Sequence, residues 1–508
     1  MGFLFPTIEW KNMVCSMILL STPRGNKVFT PLALALLFFL AIQPCMANSN
    51  EGDPYTGVPG LIDLRSTFSD GTHSIEELVQ IASSRGFEVL FINDHDRIAL
   101  SYGIPPFRTI LGYKKEFPSI MTHGPKKFLE EINRLSKKYP NVIIIPGCIT
   151  SAYYYWTGSW LKKNLTVHEY DRRILIVNFT EPEDYALIPN LHNKLSLKYT
   201  RELLPGMVIF IVPLFLGFMI TRWKGFYRWT GLIIIIVSVM AIIEYNPFKS
   251  SLFSPYRGDQ GIAPFQELID YVNERGGLSY WNYPEQKSGI RKYGPINVST
   301  HPYPQVLSQS RDYAGFAAIY GENVTLTDPG REWDGVLNEY CRGERERPPW
   351  GISTADFHED GRLGLRLGAY PTTFLVKEFS KKGVLEAMEK GRMYCSFGKG
   401  QTWPKLDYFS LSGKEGEEAI MGETLITSRF PVIKFRVSYN SEKQKRMNIL
   451  LIRGGRLIHT FKSETPIEVE YVDEEVPPGV KTYYRLIDSK KHLTSNPIFV
   501  LCNPASPR

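Results

Sequence analysis

Cysteine is scarce and poorly spaced for metal. The six residues Cys15, Cys45, Cys148, Cys341, Cys395 and Cys502 contain no CxxC pair or other short spacing, which argues against a zinc ribbon. Charge of one sign is also in short supply. A net charge of +7 is small for 508 residues, and the cations are scattered, so there is neither a nucleic-acid-binding stripe nor a polybasic tail. Nucleic acid is therefore not an expected partner. Internal repeats and low-complexity stretches are absent as well. The length leaves room for two or three folded units, since one core rarely grows past roughly 250–300 residues. If the folded part is exported, Cys148, Cys341, Cys395 and Cys502 could pair.

Three long apolar runs are present. The first, 29–42, follows Lys11, Arg24 and Lys27 and ends in Pro44-Cys45-Met46-Ala47, which reads as a signal peptide or an uncleaved anchor within 1–47. The second and third, about 203–221 and 229–245, approach the ~20 residues that span a bilayer and together make a transmembrane helical hairpin. Their connector, Arg222-Trp223-Lys224-Gly225-Phe226-Tyr227-Arg228, holds three cations and no acid. The positive-inside rule puts it in the cytoplasm and both flanks outside. The chain is thus expected to be integral to the cytoplasmic membrane, with its soluble parts on the extracytoplasmic side.

Between these runs, short apolar stretches alternate with amphipathic ones, the rhythm of β/α units. Strands are expected at 61–64, 89–92, 142–145 and 278–281, with helices at 74–85, 125–138 and 264–274. From about 405 the pattern turns to strand runs divided by Gly and Pro turns, an all-β sandwich-like domain. No catalytic cluster appears there, and its reading is a structural module or an interaction surface for an envelope protein partner.

Chemistry-bearing residues sit at the ends of the expected strands, where β/α barrels gather their sites. They fall in Ile62-Asp63-Leu64-Arg65-Ser66-Thr67-Phe68-Ser69-Asp70-Gly71, in Asn93-Asp94-His95-Asp96 and in Asp356-Phe357-His358. In combination and order these segments resemble the PHP superfamily, polymerase and histidinol phosphatase-like metal hydrolases, whose motifs read HxHTxxSDG, TDHD and DxH. The likeness runs through about 57–398 outside the hairpin and is nearest the exported carbaryl-hydrolase-like group. It implies an α/β fold, a distorted PHP-like β/α barrel interrupted by the hairpin. The divisions are 57–200 for the first part of the barrel, 201–248 for the hairpin, 249–400 for the second part and 401–508 for the β domain.

Carried over residue by residue, the resemblance implies a divalent metal ion (Zn, Mn or Fe), one only or none. Asp94, His95, Asp356 and His358 would be its ligands. The first-motif histidines fall on Asp63 and Arg65, and a guanidinium has no lone pair for a metal. A Glu expected after Pro146-Gly147 falls near Ile149, with Cys148 beside it as a soft alternative. A further histidine has become Tyr283, and one expected near Arg172-Arg173 is missing, with His168 or His301 as stand-ins. Asp63, Arg65 and Asp70 are the candidate catalytic residues: Asp63 or Asp70 as base or additional ligand, Arg65 against phosphoryl charge. Plainer readings stand beside these. Asp63 and Arg65 could form a salt bridge, Asp70-Gly71 a turn, and Arg65 with Arg173 could grip a phosphate or carboxylate in place of a metal. Tyr153-Tyr154-Tyr155-Trp156 reads as packing before it reads as a substrate wall.

Two functions follow. One is a membrane-tethered metal-dependent hydrolase with a reduced site, acting on a small phosphorylated molecule or on an amide or ester. The other is a non-catalytic PHP-like protein that binds a ligand or an envelope partner.

Overall fold

The structure, a computed structural model, describes residues 55–503 apart from 194–195, 323, 362–365, 399–401, 414–415 and 443. The segment 1–47, expected as signal or anchor, lies outside the described residues. Tyr55–Arg508 forms one compact unit.

The first strands are β1 (Thr56–Leu64), β2 (Val89–Ile92), β3 (Ile98–Gly103), β4 (Gly112–Phe117), β5 (Ile143–Thr150), β6 (Tyr155–Thr157), β7 (Thr166–His168) and β8 (Arg173–Val177). After the hairpin come β9 (Leu278–Asn282), β10 (Ile290–Tyr293), β11 (Ile296–Ser299), β12 (Gly315–Ile319), β13 (Trp350–Ser353), β14 (Pro371–Val376) and β15 (Met393–Ser396). The β2 sequence Val-Leu-Phe-Ile is buried at every position, the mark of a strand covered on both faces. Helix α1 (Ile75–Ser84) starts where Ser74 and Glu77 form a capping box, with Ser74 N to Glu77 Oε2 at 2.7 Å. Its buried residues Ile75, Leu78, Val79 and Ala82 follow the helical period that lays one stripe on the sheet. Helix α2 (Pro125–Lys138) does the same with Phe128, Leu129, Ile132 and Leu135.

The expected β/α barrel is met only in part. The central path runs β13-β12-β9-β8-β5-β2-β1-β14-β15, and β8 lies antiparallel to both β5 and β9. The path is open, but its β13 edge is drawn back to the end of β1 where the site lies. The chain leaving β13 bonds the end of β1: Ala355 N to Ile62 O at 3.2 Å, Phe357 N to Asp63 O at 3.2 Å and Arg65 N to Phe357 O at 2.9 Å. Over this same end sit the β3–β4 hairpin and a small sheet in the order β10-β11-β7-β6.

The two apolar runs form α3 (Thr200–Ile220) and α4 (Phe226–Glu244), both long and apolar enough to cross a membrane and barely covered by the rest of the chain. They meet at two glycines. A Cβ on Gly231 would stand 2.8 Å from Gly217 O, and one on Gly217 would stand 2.9 Å from the Ile235 side chain. Small residues at a crossing let backbones approach, as in membrane helix pairs. Phe215, Phe218, Ile233 and Ile236 face outward and exposed, more contiguous apolar surface than a soluble protein ordinarily shows.

The C-terminal strands are β16 (Pro404–Ser412), β17 (Glu418–Ile420), β18 (Thr424–Thr427), β19 (Val432–Tyr439) and β20 (Arg446–Arg453), followed by β21 (Arg456–Glu464), β22 (Ile467–Val472), β23 (Lys481–Asp488), β24 (Leu493–Ser495) and β25 (Ile498–Cys502). They form a two-layered sandwich whose core joins Leu406, Phe409, Ile433 and Phe435 to Ile449, Leu451, Leu486 and Val500. One layer is not separate from the preceding fold, because β15 pairs with β24 and continues the central sheet. Cys148, Cys341, Cys395 and Cys502 are all free thiols, so none of these four pairs with another.

A buried ion pair fastens the sandwich to α5 (Glu332–Cys341). Arg485 Nε and Nη2 each donate to Asp334 at 2.7 Å, and Tyr483 OH donates to the same carboxylate at 2.7 Å. Removing one partner strands the other charge without solvent, at a typical cost of about 3–5 kcal/mol. Asp334→Ala is therefore expected to lower the denaturant midpoint of the full chain strongly. Asp334→Leu with Arg485→Met should recover most of the loss. Equal midpoints for wild type and Asp334→Ala would remove this junction from the account.

Candidate functional site

The site is built where β1, β2, β9 and β13 end and the antiparallel β8 begins. At its centre Arg65 is fully buried. Its Nη2 lies 2.9 Å from Asp63 Oδ1 and 3.2 Å from Asp356 Oδ1, and its Nε donates to Asp63 at 3.1 Å. The other oxygen of Asp63 accepts from Asn282 Nδ2 at 2.9 Å and from the Tyr283 hydroxyl. The expected Asp63–Arg65 salt bridge is thus present. Asp63 has no free lone pair direction left for a metal, and Arg65 is too enclosed to meet a substrate. Although burial opposes its charge, Asp63 and Asp356 hold the guanidinium firmly protonated. Burial, together with the neighbouring Asp356 and Asp63, pushes the Tyr283 phenol well up.

Asp63, Tyr283 and Asp356 all take positive φ, at 69°, 49° and 44°. Non-glycine residues rarely adopt this conformation, and such strain gathers where surrounding bonds over-determine a site. Here the bonds are those around Arg65.

Asp94 turns away from this centre. Its carboxylate accepts from Ser66 N at 2.8 Å, Ser66 Oγ at 2.6 Å and Ser69 Oγ at 2.5 Å. Burial raises its pKa while the three bonds from Ser66 and Ser69 hold it down. Its role is to pin the 66–69 loop, not to ligate.

Asp70, His95 and His358 do converge. Asp70 Oδ2 lies 3.1 Å from His358 Nε2 and 3.6 Å from His95 Nε2, and Arg173 Nη1 approaches that same His95 nitrogen at 3.4 Å. Burial, then the charges of Arg65 and Arg173, push the His95 pKa down to about 3, so the ring is neutral at ordinary pH. Burial disfavours the charge on Asp70, but bonds from His358 and His95 outweigh it and hold this carboxyl well below the usual range. His358 shows the reverse: burial lowers its pKa and the bond to Asp70 more than restores it, a net rise. His358 Nδ1 also reaches Asp356 O at 2.7 Å.

The four expected ligands Asp94, His95, Asp356 and His358 therefore do not share one coordination sphere. Among the described residues, no three His, Cys, Asp or Glu side chains stand close enough together to hold a metal ion. The donor set does not fit a divalent ion here: Asp94 is saturated by serines, Asp63 is enclosed by Arg65, Asn282 and Tyr283, one oxygen of Asp356 is bonded to Arg65, and Arg173 stands against His95. Coulomb repulsion adds to this. A divalent ion ~5 Å from the Arg65 charge would meet on the order of 6–7 kcal/mol at an effective dielectric of ~20. The stand-in ligands are elsewhere too. His168 stacks on Tyr155 at 4.7 Å and bonds Thr157 Oγ1 at 2.7 Å, and His301 pairs with Ser299 at 3.3 Å. Cys148 is buried, and burial raises its thiol pKa well up. Ile149 bridges His95 only through backbone.

Asp70, His95 and Arg173 lie on the floor of a cavity of about 910 Å³. Arg173 is held by Asp171 at 3.1 Å, and Arg291 shares that carboxylate. Asp171, Arg291, Ser66, Ser69 and Asn282 were not legible as site residues. Their only sequence signal was position: Asn282 precedes Tyr283, and the two serines stand inside the first motif. Tyr154 and Trp156 sit in a small aromatic core, as expected for packing, yet Trp156 also lines the cavity.

Behind the site, Asp96 is buried with Oδ2 accepting from Asn190 at 2.8 Å. Burial lifts its pKa from 3.8 to about 7, with Thr150 opposing the rise. The native chain then keeps a proton that the unfolded chain loses near pH 4, so stability falls as pH rises from about 4 to about 7 and levels off above. Asp96→Asn is expected to flatten that slope and to stabilise the full chain at pH 8 by at least ~1 kcal/mol, with little effect at pH 4. Parallel urea midpoints for the two proteins at pH 5 and pH 8 would contradict this.

No family model matches the chain, and no curated protein matches it. Similar solved structures include a two-domain protein of Bacteroides vulgatus containing a PHP-like metal-dependent phosphoesterase, assigned by prediction. It is 12% identical with a TM-score of 0.34, covering 88% of this chain and 95% of that one. A structure from Bifidobacterium adolescentis, assigned as a metal-dependent phosphoesterase, is 13% identical with a TM-score of 0.26, covering 61% and 90%. An amidohydrolase from Chromobacterium violaceum, solved with bound sulfate and no metal, is 12% identical with a TM-score of 0.26, covering 60% and 88%. Likenesses this slight carry no weight for activity, and the reading below rests on the chain's own side chains.

Proposed function

We propose that this chain is a membrane-tethered PHP-like protein that binds a ligand bearing a phosphate or carboxylate group, with Arg173 as the principal contact and His95 and Asp70 beside it, and without a metal ion. The observation that carries this is Arg65. A buried guanidinium bonded to Asp63 and Asp356 stands at a position where the resemblance puts a metal-binding histidine, and it uses the carboxylates a metal would need. Arginine matches planar and tetrahedral oxyanions through paired N–H donors, and Arg173 supplies such donors at the cavity floor. In this reading α3 and α4 tether the site with the cavity on the extracytoplasmic face, and the place within the exported carbaryl-hydrolase-like group belongs to the same proposal.

A hydrolase reading keeps one observation in its favour: Asp70, His95 and His358 meet beside an open cavity. The electrostatics weigh against it. A histidine that takes a proton only near pH 3 is a weak base, and Asp70, held well below the carboxylate range, is weaker still.

The test uses the full chain purified in detergent. Metal content should stay below ~0.1 ion per chain after equilibration with zinc and manganese. Inorganic phosphate should bind saturably, at least tenfold more weakly in Arg173→Ala, and p-nitrophenyl phosphate should not turn over. One ion per chain, with ester turnover lost in Asp356→Ala plus His358→Ala, would overturn the proposal in favour of the metal-dependent hydrolase.

A further inference from the structure

The cavity above Arg173 is larger and more apolar than a phosphate or a small carboxylate requires. Its walls follow from strand periodicity, which sends alternate side chains to one face. Ile98, Leu100 and Tyr102 of β3 point inward together, and so do Ile296 and Val298 of β11. Phe117 adds to the first wall and Trp156 to the second. The charged side chains that line the cavity are Asp70, Lys115, Arg173 and Arg291, three cations to one anion. Its volume of about 910 Å³ lies toward the upper end of the ~300–1,000 Å³ typical of ligand pockets. A long apolar wall with a cationic floor suits a molecule that has an anionic head and a hydrocarbon tail.

A second, independent observation says where such a molecule would come from. The β3–β4 hairpin that forms one wall carries exposed Ile104, Ile110 and Leu111 at its tip. That tip is pinned to the end of the second membrane-length helix, with Thr109 N donating to Glu244 Oε2 at 2.6 Å. Arg108 stacks over Tyr256 at 3.9 Å, and Gly103 N bonds the Tyr256 hydroxyl at 2.6 Å. Between the hairpin and the helix end lies a cleft of about 320 Å³, bordered by Ile243, Glu244 and Phe248. The cleft and the cavity share Tyr102 and Tyr113. The cleft at the end of α4 and the cavity over Arg173 therefore adjoin at these two rings, and the cleft's lining mixes Ile243 and Phe248 with the cations Arg108, Lys114 and Lys249.

We propose that the cavity takes an anionic phospholipid from the leaflet in which α4 ends, with the phosphate at Arg173 and an acyl chain along the β3 and β11 wall. This rests on the anion-binding reading above and names the ligand class of that same site. The exposed hairpin tip would seat at the membrane interface, where apolar loops bind by partial burial.

The test again uses the full chain in detergent. Dioctanoyl phosphatidic acid, dioctanoyl phosphatidylcholine and inorganic phosphate are titrated by calorimetry. Phosphatidic acid should bind at least tenfold more tightly than either of the others. Leu100→Gln and Ile296→Gln, both at half-buried wall positions, should each collapse that ratio severalfold, whereas Arg173→Ala should weaken lipid and phosphate alike. Ile110→Ser with Leu111→Ser changes only exposed residues and leaves folding intact. It should slow uptake of a fluorescent phosphatidic acid from vesicles at least threefold. Phosphate binding as tightly as the lipid, with wall variants inert, would overturn the lipid proposal and leave the anion site standing. No binding of either ligand would overturn both. Uptake that the tip variant does not change would overturn entry through the hairpin.

Discussion

The buried guanidinium of Arg65 is the interaction on which the rest of the site depends. It bonds Asp63 on β1 and Asp356 beyond β13, and so ties the chain leaving the edge strand β13 back to the interior strand β1, where backbone bonds from Ala355 and Phe357 begin the closure. A fully buried charge is tolerated only when paired and hydrogen-bonded, and the site is arranged to meet that demand. Asp63 turns into the left-handed region to present its carboxylate, Tyr283 and Asn282 satisfy the remaining oxygen, and Asp356 bends likewise. One fixed positive charge thus does structurally what a bound ion does in a metal centre. It neutralises converging acids and ties strand ends together.

The cluster around Asp70 is a consequence. With Asp63 and Asp356 engaged and Asp94 held by Ser66 and Ser69, Asp70 is the acid that faces the cavity, and it keeps His358 charged more readily than His95. Arg173 then faces a neutral imidazole and the Asp171 carboxylate it shares with Arg291. The cavity floor is cationic without being crowded by metal ligands. Above it stand the apolar walls, and near them ends α4, a helix long and apolar enough to cross a membrane.

Much of this was legible in the residues, for identifiable reasons. The continuous apolar run of β2 announced a buried strand that delivers Asp94 and His95 at its end, and the uncharged, isoleucine-rich stretch in α4 announced a membrane-length helix. The Asp63–Arg65 salt bridge was among the readings that the sequence offered, and the structure holds it. What was hidden depended on side-chain direction. Asp94 keeps the motif but points at serines, because the loop back to Gly71 is wound so tightly that a Cβ there would stand 2.3 Å from Arg65 O. The antiparallel course of β8 was hidden as well, since a run such as Arg-Ile-Leu-Ile-Val reads the same in either direction. The β3–β4 hairpin escaped notice because β4, Gly-Tyr-Lys-Lys-Glu-Phe, is polar and mostly exposed.

The most direct measurement is the melting temperature of the full chain in excess chelator and in saturating zinc or manganese. A ligand that binds only the native state at a hundredfold over its Kd adds about 2.7 kcal/mol of stability, which raises the melting temperature by a few degrees. If Arg65 fills the role of the ion, chelator and metal leave the melting temperature unchanged, and Arg65→Met lowers it sharply in both. A metal-dependent rise of several degrees that chelator reverses and Asp356→Ala abolishes would contradict an arginine-centred site.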